Sequence, residues 1–212
     1  MSSFISKHIQ WILVFLFILF TWTLYRYFFV TPEWVDEFIA KPLLQVLPIL
    51  FVIKFFEMKS LSSLSIRSKK PLLHICIGLG LGLLLVVESL VMQKMKGSVF
   101  TIQLNNLLVP LLVSLATGFT EELVYRGYFA RRIAEGIENR YIANTIQTLL
   151  FVLIHVPIMI FVLQYSFADS IFYCMQLFVL GFVYGYIFLE TESIVATVIP
   201  HTLWNFANVI FH

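Results

Sequence analysis

Charge is what this 212-residue chain has least of: 12% of its residues are Asp, Glu, Lys or Arg, about half the share of a soluble domain. Cysteine is nearly absent too. Cys76 and Cys174 sit in separate apolar runs with no CxxC and no Cys/His cluster, which excludes a disulfide framework and a thiolate zinc site. The net charge of +2 is small and dispersed, so nucleic acid is excluded as a partner. No repeat or low-complexity segment is visible. What fills the space left by charge is 60% apolar residues, at a mean hydropathy of +0.92. Neither a water-soluble globule nor a disordered chain tolerates that balance. The apolar stretches are continuous rather than alternating, which excludes a β-barrel.

The chain therefore reads as an all-α, polytopic membrane helical bundle of about seven transmembrane helices, at roughly 20 apolar residues per span. It forms a single integral-membrane domain over residues 1–212, with membrane lipid as its surroundings. The runs predict spans over 9–30, 36–56, 72–92, 104–120, 142–163, 170–189 and 194–211. The first run follows Lys7 and lacks a small-residue cleavage site, so it reads as a retained span rather than a removed signal. Pro42, Pro48 and Pro110 predict kinks inside the bundle. Residues 121–140 carry four arginines and four glutamates, and read as a helix continuing from the fourth span and turning along the interface.

Seven spans put Lys7, Lys54, Lys59, Arg67, Lys69, Lys70, Arg126, Arg131, Arg132 and Arg140 on one side. Arg26, Lys41, Lys94 and Lys96 fall on the other. The excess of basic residues marks the cytoplasmic side, so the N-terminus is expected in the cytoplasm and the C-terminus outside.

A charge at the centre of a span costs at least ~2.5–3.5 kcal/mol, so polar residues at depth need a reason. The candidates are Glu88, Asn105, Asn106, Glu121, Glu122, Arg126, His155, His201 and Asn205, with His74 nearer an end. In Glu121-Glu122-Leu-Val-Tyr-Arg126 the second acid lies four residues before the arginine, the favourable order for a helical ion pair. Glu121 points elsewhere, toward the face of Thr117 and Tyr125, and reads as the free acid of the two. A helix start with acids near its N-terminus would explain the same pair without chemistry. His155, in Phe151-Val-Leu-Ile-His155, taken alone reads as an interhelical hydrogen bond worth ~1 kcal/mol. His201 and Asn205 lie one turn apart on one helix face and present a ring N–H and an amide N–H together. Gly78, Gly80, Gly82, Gly181 and Gly185 read as close helix packing, and Glu88 is assigned no chemistry.

Converging, these side chains suit hydrolysis by an activated water. Glu121 can take a proton from a water that His155 holds, while His201 and Asn205 donate to the developing oxyanion. The same residues allow a second assignment, with Glu121, His155 and His201 as ligands of a catalytic Zn2+ and Glu122 as the base. The absence of HExxH and the poor ligand quality of asparagine favour the metal-free version. No serine, cysteine or threonine is placed as a covalent nucleophile.

In order and spacing, Glu121-Glu122-xxx-Arg126, Phe151-xxx-His155 and His201-xxx-Asn205 resemble the CPBP family of intramembrane proteases. That family includes the type II CAAX prenyl endopeptidases and the bacteriocin-processing and self-immunity (Abi) proteins. The matched region is 104–212. The resemblance implies an endopeptidase acting on a membrane-associated peptide, lipidated or a leader, with its site open toward the cytoplasm. It implies that the first glutamate and the middle histidine activate water and that the last histidine and asparagine form the oxyanion site. The family's Thr-Gly-Ser-Leu-like segment reads Thr191-Glu192-Ser193-Ile194 here, a departure beside the last motif. Two other functions fit the composition. One is a non-enzymatic immunity or scaffolding protein of the same fold. The other is a transporter with Glu88, Glu121 and His155 as a proton relay, which the lack of inverted repeats weighs against.

Overall fold

The computed structural model describes residues 2–95 and 107–211, with side chains from residue 9 onward. Residues 104–106, which open the predicted fourth span and include Asn105 and Asn106, lie outside that description, as do Lys96 and the side chain of Lys7. Seven helices follow one another: α1 Ser2–Phe28, α2 Glu33–Phe55, α3 Pro71–Met95, α4 Leu108–Ala134, α5 Arg140–Phe161, α6 Phe167–Thr191 and α7 Val195–Ile210. The spans of α1 to α6 are long and apolar enough to cross a membrane, whereas α7 has 16 residues and falls short by its own length. The protein is an all-helical integral membrane protein. Lipid-facing positions such as Leu13, Phe17, Leu83, Leu84 and Val179 are exposed, as expected where hydrocarbon rather than water is the solvent.

Two helices depart from α winding. In α2 the segments Asp36–Ala40 and Pro42–Val46 are π-wound, and Pro42 opens the second of them. In α4 the segment Glu122–Ala130 is π-wound and wholly buried. This corrects the expected turn along the interface. The helix runs on to Ala134, where Tyr125, Tyr128 and Phe129 fill the core and the charges of Glu122 and Arg126 pair with each other. The 14-residue boundary error at the end of the fourth span has the same cause: the segment looked too charged to be inside.

Small residues let the helices close on one another. A Cβ on Gly78 would lie 2.9 Å from that of Ile199, which seats α3 against α7. One on Gly118 would lie 2.8 Å from Thr202 Oγ1, which seats α4 against α7. Between α5 and α6, a Cβ on Gly185 would run into the amides of Asn144 and Gln147, whereas Gly80 faces open space. Gln147 donates to the Gly181 carbonyl at 3.1 Å and Asn144 to the Phe182 carbonyl at 2.9 Å, so that seam is hydrogen-bonded as well as close.

Gly185→Ala is therefore expected to lower thermal stability in detergent by about 1–3 kcal/mol, the usual cost of overpacking. Gly80→Ala should leave the melting temperature within a degree or two of wild type. Equal melting temperatures for the two variants would contradict the packing described.

Candidate active site

A cavity of about 450 Å³ is lined from every helix. Its floor is made by Glu121 and Tyr125 of α4, Phe151 and His155 of α5, Tyr184 of α6, and His201 and Asn205 of α7. Four of the six residues singled out from the motifs, Glu121, His155, His201 and Asn205, thus line it. The other two, Glu122 and Arg126, are fully buried and reach the lining through His201.

The two adjacent acids face different partners. The Glu122 carboxylate is fully buried and accepts from Arg126 at 2.8 Å, the ion pair expected from the four-residue spacing. Arg126 also donates to the Gly181 carbonyl at 3.1 Å, and its guanidinium carbon lies 4.6 Å from the centre of the Phe151 ring. Glu122 Oε1 in turn takes a hydrogen bond from His201 Nδ1 at 2.9 Å. A carboxylate only accepts here, so the Nδ1 proton is fixed and Nε2 is left to the cavity.

Glu121 is not free, as the sequence had led us to expect. Its Oε1 is 2.6 Å from Lys41 Nζ, which lies 80 positions earlier and also reaches Glu37 Oε1 at 2.6 Å. Its Oε2 faces His201 Nε2 at 3.6 Å and His155 Nε2 at 3.9 Å. The His155 Nδ1 proton is donated to the Phe151 carbonyl at 2.7 Å, so this ring also offers Nε2 to the cavity. Both separations exceed a direct hydrogen bond, and each is short enough for a single bridging water to span. His201 also lies against the Tyr184 ring, with centroids 5.4 Å apart.

Lys41 and Glu37 are the residues that sequence reasoning missed. Lys41 was read as a charge on the outer side, and Glu37 did not enter the reading. Both are buried. The signal was present: Glu37-xxx-Lys41 has the same favourable spacing as Glu122-xxx-Arg126, inside an apolar run. The hydroxyls of Tyr125 and Tyr184 are buried beside the cavity without a hydrogen-bond partner. Glu88 and Asn205 line the cavity, whereas His74 pairs with Ser68 at 2.7 Å, away from it.

A profile described as "Type II CAAX prenyl endopeptidase Rce1-like" matches residues 103–207. The chain belongs to a CAAX-protease-like family. All three motifs lie within the match, while Lys41 and Glu37 lie outside it. No curated protein and no solved structure matches the chain.

A His2Glu zinc site needs three donors converging on one point at about 2.0–2.2 Å. Among the described residues no three His, Cys, Asp or Glu side chains are arranged to hold a metal ion, and the Lys41 ammonium already sits on the Glu121 carboxylate. As arranged, Glu121, His155 and His201 do not fit a resident zinc.

Arg126→Met leaves Glu122 buried without its cation, a loss of about 3–5 kcal/mol, whereas Glu122→Leu with Arg126→Met removes both charges and is expected to regain most of it. Thermal unfolding of the detergent-solubilised variants measures the cycle. A double variant no more stable than Arg126→Met would contradict the assigned pairing.

Proposed function

We propose that this protein is an intramembrane endopeptidase that hydrolyses a peptide bond in a membrane-associated substrate, lipidated or a leader peptide, with a water activated by Glu121 and His155. The observation that carries this reading is the placement of Glu121 Oε2 opposite two ring nitrogens whose other nitrogens are already engaged. Family membership supports the reaction class.

In this reading Glu121 Oε2 takes a proton from the water as its oxygen attacks the scissile carbonyl carbon, and His155 Nε2 orients that water. The carbonyl π electrons move to oxygen, and the oxyanion sits against Asn205 and His201. His201 Nε2 and the Asn205 amide are the polar groups that face this oxygen. Return of the proton from Glu121 to the amide nitrogen lets the C–N bond break and releases an amine and a carboxylic acid. Lys41 holds the other oxygen of Glu121, so the carboxylate keeps Oε2 turned to the water. Glu122 and Arg126 act through His201, as positioning residues. The apolar surround excludes bulk water, which strengthens these contacts.

The non-enzymatic alternative asks buried charges from four helices to be retained without a task, at a cost each. The Lys41–Glu121 pair across helices weighs against it further.

Two quenched peptides serve as probes, one with a prenylated cysteine four residues from its C-terminus and one an unlipidated leader sequence. Cleavage of either by the purified protein is expected to persist after chelation and to fall by about 10²–10⁴-fold in Glu121→Gln. Asn205→Ala is expected to cost about 10²–10³-fold in kcat. Full activity in folded Glu121→Gln, or complete loss on chelation with recovery on adding zinc, would overturn the mechanism.

A further inference from the structure

Four buried carboxylates of the bundle each face a cation supplied by the fold. Asp36 meets Arg26 at 2.8 Å, Glu37 and Glu121 share Lys41 at 2.6 Å each, and Glu122 meets Arg126 at 2.8 Å. Glu88 is the exception. It lies well inside α3, and its neighbours on the same helix face are Leu84, Leu85, Val91 and Met92. Lys94, the next lysine along α3, is six positions on and falls on a different face. Among the described residues no lysine, arginine or histidine pairs with Glu88. An ionisable side chain within a span is costly, and where the fold gives it no partner it marks a place that something else occupies.

A second cavity, of about 300 Å³, lies between α3, α6 and α7. Glu88, Phe172, Gln176, Leu180 and Trp204 line both this cavity and the one that holds Glu121, so the two meet at these side chains. The rest of its wall is Leu85, Met175 and Val179. It is thus an apolar slot with a carboxylate and two aromatic rings where it joins the main cavity. Ser89, next to Glu88, lines the main cavity, and its buried hydroxyl has no hydrogen-bond partner. Trp204 adjoins Asn205 and follows His201 by three residues, so the slot opens beside the groups assigned to the oxyanion.

From this arrangement we propose that the slot is a specificity subsite for a lysine or arginine side chain of the substrate, carried close to the scissile bond. This rests on the hydrolytic reading of the main cavity. The aliphatic stem of such a side chain lies along Leu85, Val179 and Leu180. Its cationic head takes Glu88 as counter-ion and the Ser89 hydroxyl as an acceptor, with the Trp204 and Phe172 rings as cation–π walls. A purely apolar chain seated there would desolvate the Glu88 carboxylate and give it no partner in return. Glu88 touches the substrate but not the reacting atoms, so it selects which peptide is cut.

The two quenched peptides of the cleavage assay test this when lysine, norleucine or glutamate is placed in turn at the positions flanking the expected scissile bond, the prenylated cysteine excepted. Norleucine keeps the stem of lysine and lacks its charge. At one position kcat/KM for lysine is expected to exceed that for norleucine by about 10-fold. Glu88→Gln should bring the ratio close to one, Glu88→Asp should retain it, and Glu88→Lys should favour glutamate. Fluorescein-labelled copies of the same peptides, titrated against the Glu121→Gln protein in detergent and followed by anisotropy, report binding without cleavage. There the lysine peptide should bind about 10-fold more tightly than the norleucine peptide, and adding Glu88→Gln should remove the difference. Equal binding of the two at every position, tighter binding of norleucine, or a lysine preference that survives Glu88→Gln overturns the subsite. Full cleavage by Glu121→Gln overturns the hydrolytic reading instead, and the binding difference then stands or falls by itself.

Discussion

Two adjacent carboxylates buried among apolar helices stay ionised only if each has its own cation, and this requirement organises the molecule. Glu122 takes Arg126 from its own helix, and Glu121 takes Lys41 from α2. The first pair is local and fully buried, and it holds His201 through the remaining reach of Glu122 Oε1. The second is long-range and ties the N-terminal helices to the motif-bearing half. A buried pair of this kind adds little net stability over apolar packing, but breaking one is costly. Both pairs therefore act chiefly on arrangement.

That arrangement needs a particular helix. Along α4 the π-wound stretch from Glu122 to Ala130 begins at the junction of the two acids, and π winding is a recurrent feature of functional sites in helices. The hydrogen-bonded α5–α6 seam places the Gly181 carbonyl on Arg126 and the Phe151 ring beneath its guanidinium. The Gly118 approach of α4 to α7 brings His201 within reach of Glu122. Packing contacts and site contacts are thus largely the same contacts, which is why a small residue at Gly118 or Gly181 matters to a carboxylate a turn away.

Much of this was legible in the residues alone. Shortage of charge gave the membrane class, run lengths gave the helices, and four-residue spacings paired Glu122 with Arg126 and set Glu121 apart. Three readings failed for physical reasons. Residues 121–140 looked interfacial because a sequence shows charge but not the partners that neutralise it. Lys41 was counted with the charges of the outer side because its partner Glu121 is 80 positions away, and no local pattern records so distant a contact. Glu121 was read as the free acid of its pair because the spacing that reveals Arg126 cannot reveal a cation on another helix.

The central claim is that one hydrolytic water is held between Glu121 and His155, opposite an oxyanion site on His201 and Asn205. The structure of the protein with a peptide phosphonate bound, a stable mimic of the tetrahedral intermediate, tests it most directly. The account predicts one phosphonate oxygen within hydrogen-bond distance of Glu121 Oε2 and His155 Nε2, and the other within that distance of His201 Nε2 and the Asn205 amide. A phosphonate seated elsewhere, or held through a metal ion on those side chains, would contradict it.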